Sequence, residues 1–231
     1  MIRQPLPLPL GRITRGVAVG GCSIVVVVKC PVATHQSGAV ARLAEEVAAE
    51  SLQTLAGCVR VAALLPAGRP VALVAGRHGG VSVSVSHTPG LIGAAACREA
   101  DVGIDIVDVC PQSASGERSD MGLEYWFTPA ERHLLAGDRS VSRGMMWGAK
   151  EAAYKAAALD AEFRPLEVSI EAANGGHFHW SLGHSWSTVC GVGRFCLAAG
   201  RIVVLAVAQP ERTSRWQTAH QMRGGSGIPC S

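Results

Sequence analysis

The clearest pattern along this chain is the strict alternation Val81-Ser82-Val83-Ser84-Val85-Ser86. Successive side chains of a strand point to opposite faces, so this segment predicts a half-buried strand with one apolar and one polar face. His87-Thr88-Pro89-Gly90 reads as its break. Leu91 to Cys97 and Val102 to Val107 predict two more strands, and the β-branched run Ile24 to Val28 predicts one upstream. Between them, residues 39–55 carry Val40, Leu43, Val47, Leu52 and Leu55 at helical spacing behind Ser37 as an N-cap. Gly68-Arg69-Pro70 is a turn signal.

The second half repeats this order of helix, then strands. Pro111 to Gly122 is polar and loop-like. Thr128-Pro129-Ala130-Glu131 supplies a cap, a first-turn proline and an acid in the first turn, so a helix is expected to run from there to about Leu135. A second helix is expected over Gly144 to Leu159, rich in Ala, Met, Lys and Glu. Strands are expected near Val168 to Glu171, His177 to Leu182, Ser187 to Val192 and Ile202 to Ala208. The pattern reads as α+β, two similar lobes in one chain: residues 1–99, then residues 100–210, followed by a polar, Gly-rich tail over 211–231 that is expected to be disordered. The likeness of the halves is one of element order, without a sequence repeat.

Composition narrows the function classes. Hydrophobic residues make up 48% of the 231 and charged residues 17%, a globular balance. The net charge of +3 suits an anionic ligand or an acidic partner, but no Lys/Arg-rich run supports nucleic-acid binding. No apolar segment is long enough to span a bilayer, and the Pro-broken N-terminus makes a poor signal peptide, so no membrane association and a cytoplasmic protein are expected. The eight cysteines form no Cys-x-x-Cys pair and most sit in apolar runs, which points to reduced, buried thiols rather than a disulfide framework or a zinc site.

Two stretches carry chemistry. Val102-Gly103-Ile104-Asp105-Ile106-Val107-Asp108 sets an acid among aliphatics in a short strand. By itself that Asp is better explained as capping a turn at the strand end. In Trp147-Gly148-Ala149-Lys150-Glu151-Ala152-Ala153-Tyr154-Lys155, residues 147, 151 and 155 are four apart and share one helix face. A surface Glu–Lys pair is the plain reading, but a tryptophan on the same stripe places the charges at the edge of an apolar cleft. His177, His179 and His184 invite a metal reading, yet no third ligand is evident and a solvated strand face accounts for them; Trp180 and Trp186 read as core and edge packing.

Together these stretches resemble the 4'-phosphopantetheinyl transferase superfamily. Its signature is an aliphatic-Gly-aliphatic-Asp strand followed downstream by an aromatic-x-x-Lys-Glu-x-x-x-Lys helix, matched by Gly103-Ile104-Asp105 and by Trp147 to Lys155. Tyr125 to Glu131 is similar to the segment between them, Gly68-Arg69-Pro70 to an upstream Gly-Lys-Pro element, and Ser84-Val85-Ser86-His87-Thr88 to an Asn-x-Ser-His-Ser element. The length resembles the long, surfactin-type branch, which joins two lobes in one chain and works as a monomer. The resemblance implies transfer of the phosphopantetheine arm of coenzyme A to a serine of an acyl or peptidyl carrier protein, with release of 3',5'-ADP.

The resemblance also implies the roles. Asp105 and Glu151 would hold Mg2+, Glu151 would take the serine proton, and Lys155 would meet the departing 3',5'-ADP. Ser86, His87, Arg69 and Arg42 would contact coenzyme A. Where many long-branch members carry Asp-x-Glu, this chain reads Asp105-Ile106-Val107, so two protein carboxylates are expected at the metal, with Asp108 facing away. Carrier docking is expected on Pro111 to Trp126 with Arg132 and Arg143. Two other classes compete. A non-catalytic coenzyme A or carrier-protein binding module would tolerate loss of Asp105, Glu151 or Lys155, and all three are present. A different magnesium-dependent phosphotransferase would need a Gly-x-x-x-x-Gly-Lys-Ser/Thr loop, and Gly76 to Gly80 does not supply one.

Overall fold

A computed structural model describes residues 7–8, 13–29, 46–51, 59–62, 71–74, 77–78, 81–108, 122–137, 142–158, 162–172, 176–184, 187–198 and 200–209. The first half contributes β1 (Pro7–Leu8), β2 (Ile13–Val19), β3 (Cys22–Lys29), a helical stretch α1 (46–51), β4 (Val59–Ala62), β5 (Val71–Val74), β6 (Arg77–His78), β7 (Ser82–Thr88) and β8 (Leu91–Cys97). The second contributes β9 (Val102–Asp108), α2 (Pro129–Gly137), α3 (Arg143–Ala157), β10 (Val168–Ala172), β11 (His177–His184), β12 (Ser187–Ala198) and β13 (Arg201–Ala208). The class is α+β, as the sequence pattern predicts.

Two larger sheets and one small one result. A six-stranded sheet runs β10-β11-β12-β13-β9, with β1 pairing parallel to β12; a four-stranded sheet runs β2-β3-β8-β7; β4-β5-β6 form the third. Every central pair in the two larger sheets is antiparallel. The sheets pack face to face: Ile24, Val26, Leu91 and Ala95 of one meet Ile104, Ile106, Val203 and Leu205 of the other. The outer face of the four-stranded sheet is covered by Val47 and Ala48 of α1. The outer face of the six-stranded sheet is covered by α3, whose Ala149, Ala152, Ala153 and Ala156 lie against Val204, Ala206, Ile170 and Phe178. Small alanines let this helix approach the sheet closely, and burying such a face is what stabilises it.

Most predicted strands are present, several of them longer than the pattern indicates. β12 continues to Ala198 because Arg194, at the point where the apolar run is interrupted, stays in register with Leu205. β7 does not end at His87 but runs through Thr88; the turn is Pro89-Gly90 alone, with Gly90 at φ 82°, the left-handed position that a glycine takes without strain. β2 is absent from the pattern, because Arg15 and Gly16 interrupt its alternation. Of the helix expected over residues 39–55, only 46–51 are described, and Trp186 and the tail 211–231 lie outside the described residues. Cys97 and Cys196 are buried as expected, whereas Cys190 is exposed. Among the described residues no helix is long and apolar enough to cross a membrane.

The polar face of β7 does not meet solvent. Ser84 and Ser86 are buried, and the serines point at the edge of β9. The backbone N–H groups of Val102, Ile104 and Ile106 donate to the hydroxyl oxygens of Ser82, Ser84 and Ser86 at 3.0, 3.2 and 3.2 Å. An edge strand leaves a row of unpaired N–H groups that must find partners when buried. Here the hydroxyls of one sheet serve the open edge of the other, residue for residue, so the alternation is the joint between the two sheets.

Candidate functional site

Alternate residues of β9 face opposite ways. Val102, Ile104 and Ile106 enter the core between the sheets, while Gly103, Asp105 and Val107 face α3. The two glycines of the motifs set the distance between strand and helix. A Cβ on Gly103 would overlap the Ala152 carbonyl oxygen, and one on Gly148 would lie 2.9 Å from Val107 Cγ1 and 3.3 Å from Asp105 Oδ2. No side chain fits at Gly103 without moving the α3 backbone, or at Gly148 without displacing Val107. That close approach brings α3 over Asp105.

Helix α3 is capped by Ser142, whose Oγ accepts from the Met145 N–H at 3.1 Å. Its Trp147, Glu151 and Lys155 form the stripe expected from their spacing: Trp147 Nε1 donates to Glu151 Oε1 at 2.6 Å, and Lys155 Nζ stands 3.7 Å from Glu151 Oε2. Lys155 Nζ also donates to Asp105 Oδ1 at 3.0 Å and to the Ile104 carbonyl at 3.1 Å. Asp105 is buried, and its Oδ1 accepts a further bond from Ser86 Oγ at 2.8 Å. The strand residue, the helix stripe and the end of β7 thus meet at one point. Trp147 packs edge-on against Trp126 and Phe163, and Tyr154 against Phe163, which walls one side with aromatics.

Glu151 titrates above the ordinary carboxylate range. Burial is the main cause and the charge of Asp105 the next, against the pull of Lys155 and the Trp147 N–H. Two carboxylates that repel each other in a partly dry site, with one lysine between them, are a donor set for a hard cation. Mg2+ commonly takes one or two carboxylates together with substrate phosphates. The residues fit such an ion, with Asp105 and Glu151 as the protein donors. Among the described residues no group of three or more His, Cys, Asp or Glu converges. Val107 shares the face of Asp105 and packs against α3, while Asp108 turns to the other side, where it pairs with Arg201 and accepts a long 3.5 Å bond from Thr88 Oγ1.

Sequence reasoning missed a second ion pair on the same helix. Lys150, fully buried, lies 2.8 Å from the buried carboxylate of Glu131 and also donates to the carbonyls of Pro165 and Val168. Glu131 accepts from the backbone N–H of Thr128 and of Ile170, each at 2.8 Å, while Thr128 Oγ1 accepts from the Glu131 N–H at 3.3 Å. The capping box at Thr128 is therefore real, and its acid also ties α2, α3 and β10 together. The only signal in the sequence is the capping box itself; nothing local pairs residue 131 with residue 150.

The other predicted site residues are placed as follows. Ser86 is buried with its hydroxyl engaged, and His87 is exposed next to it. Arg42 and Arg69 lie outside the described residues. Arg132 and Arg143 are exposed, as are Tyr125 and Trp126, and the rest of the expected docking stretch, 111–121, lies outside the described residues. His177 is half-buried and His179 exposed on their strand; burial and Arg194 lower the titration of His177.

Comparison with known families finds a match to the 4'-phosphopantetheinyl transferase superfamily over residues 101–198. The superfamily resemblance read from the motifs is borne out over this segment. It contains Asp105, Glu151 and Lys155, and it starts after β7 and β8. Comparison with curated proteins finds no match.

Proposed function

From a chain whose residues 101–198 match a superfamily of phosphopantetheinyl transferases, we propose an enzyme that moves the 4'-phosphopantetheine group of coenzyme A to a serine of an apo acyl or peptidyl carrier protein, leaving 3',5'-ADP. The observation that carries the reading is the convergence of Asp105, Glu151 and Lys155 where α3 crosses β9. Matching motifs could sit on a chain that does not bring these side chains together; here Lys155 contacts both carboxylates.

The carrier serine oxygen attacks the phosphorus that bears the pantetheine arm. A new P–O bond forms to the serine, and the P–O bond to 3',5'-ADP breaks. Glu151 accepts the serine proton, directly or through one water. Lys155, one turn further on, neutralises or protonates the departing phosphate. Asp105 and Glu151 would hold Mg2+, and the ion would supply charge neutralisation at the phosphoryl oxygens. His87, Arg69 and Arg42 are proposed to contact coenzyme A. A carrier with an acidic helix would dock beside the exposed Tyr125 and Trp126, near Arg132 and Arg143. The proposed setting is a cytoplasmic monomer of the long branch, with residues 1–99 and 100–210 as its lobes.

The test is incubation with coenzyme A, Mg2+ and a panel of apo carriers, read by intact mass. A carrier should gain one phosphopantetheine, and excess EDTA should stop the gain. Transfer that survives EDTA unchanged would sink the metal assignment. Failure on every acyl, peptidyl and aryl carrier, with coenzyme A still bound, would favour a binding module.

A further inference from the structure

The serines of β7 form a ladder in which each hydroxyl oxygen accepts from one β9 N–H. Ser86 differs from its neighbours in one respect: its proton goes to Asp105 Oδ1 at 2.8 Å. Lys155 Nζ reaches the same oxygen at 3.0 Å. Oδ1 is thereby held by a hydroxyl from the first lobe and an ammonium from the second, while Oδ2 lies on the α3 side, against Gly148. A carboxylate with one oxygen fixed by two donors has little freedom to rotate and presents the other in a set direction.

We infer that Ser86 is a positioning residue for Asp105, a part assigned by neither the motifs nor the family match, which begins after it. This inference rests on the proposed metal-dependent transfer. It also alters the sequence-based expectation that Ser86 binds coenzyme A. A phosphate oxygen only accepts hydrogen bonds, and a serine has one proton to give. In this structure that proton is committed to Asp105, and a β9 N–H already occupies the hydroxyl oxygen. The consequence is that the first lobe, through one hydroxyl, sets the aim of a carboxylate on the second.

Ser84 is a built-in control. Ser84→Ala and Ser86→Ala each delete one hydroxyl from the same joint and each orphan one β9 N–H at the same 3.2 Å spacing, but only the second touches Asp105. Mn2+ binding can be followed through the paramagnetic resonance of the free ion, with saturating coenzyme A. Ser86→Ala should weaken Mn2+ by about 10- to 100-fold, the usual loss when a partner that orients a metal ligand is removed. It should lower kcat and leave the affinity for coenzyme A without metal unchanged. Ser84→Ala should bind Mn2+ like the parent, although both variants unfold at a similarly lowered denaturant midpoint. Equal Mn2+ loss in the two variants would reduce Ser86 to a piece of the joint and overturn the inference. So would unchanged Mn2+ affinity in Ser86→Ala, or a loss of metal-free coenzyme A binding, which would return Ser86 to the cofactor. A parent protein that binds no Mn2+ and transfers nothing would instead overturn the functional reading on which this rests.

Discussion

Helix α3 carries two lysine–carboxylate pairs, five residues apart, with opposite surroundings. Lys150 and Glu131 are sealed, at 0% and 1% side-chain exposure, whereas Lys155 is 30% exposed beside Asp105. Every donor of the Lys150 ammonium has an acceptor within the protein: Glu131 and two carbonyls. Burial lowers its titration and Glu131 pushes back, a balance that belongs to a pair kept for position. Lys155 instead joins two carboxylates at an accessible edge, and one of those carboxylates has its titration raised in part by the other. The same residue type in one motif is structural where water is excluded and available for chemistry where a ligand can enter.

The largest effect should come from the open pair. Glu151→Gln removes both the proposed base and a proposed metal donor, and transfer should fall by at least the roughly 10²- to 10⁴-fold that loss of a base alone brings. Circular dichroism and the unfolding midpoint should stay near the parent. A variant that keeps the parental rate would show that Glu151 has been given the wrong role.

At the sealed pair the effect should fall on stability. Lys150→Met strands the Glu131 charge inside the protein and should cost about 3–5 kcal/mol in denaturant unfolding. If the loss is under about 1 kcal/mol, the pair is not sealed in solution. Lys155→Ala should show the reverse profile: a smaller stability loss than Lys150→Met, because Lys155 lies at an accessible edge and Asp105 keeps the Ser86 hydroxyl, and a rate that drops more than coenzyme A affinity does. Equal rate and stability losses in both lysine variants would erase the distinction.

The smallest effect is expected where the contrast reaches the surface. Arg132 follows the buried Glu131 in sequence but is exposed, and Arg143 is exposed at the start of α3. Reversing either charge should raise the apparent KM for the carrier several-fold at low salt, less at high salt, and leave the KM for coenzyme A alone. A change confined to coenzyme A would move these arginines to the nucleotide site.

Much of this architecture is legible in the chain because it is local. The stripe of residues 147, 151 and 155 follows from helical spacing, and the structure joins Trp147 to Glu151 and Glu151 to Lys155 as that spacing requires. The facing of β9 follows from period two, with Val107 beside Asp105 and Asp108 turned to Arg201. The cap at Thr128 forms from residues three apart. β2 is not legible, because Arg15 and Gly16 break its alternation and its place at the edge of the four-stranded sheet tolerates the break.

By itself, then, the sequence determined most of the elements, the facing of β9 and the residue types at the candidate site. Only the tertiary structure decided what each face meets. Alternation says that the two sides of Val81 to Ser86 differ, and water is the default partner for the polar one. In the fold that side meets the unpaired N–H groups of β9, whose burial makes hydroxyl partners obligatory. Likewise, no pattern along the chain separates Lys150 from Lys155, for a lysine's role depends on the water and the charges around it. Those come from segments distant in sequence, brought together by the burial of the sheets and helices between them.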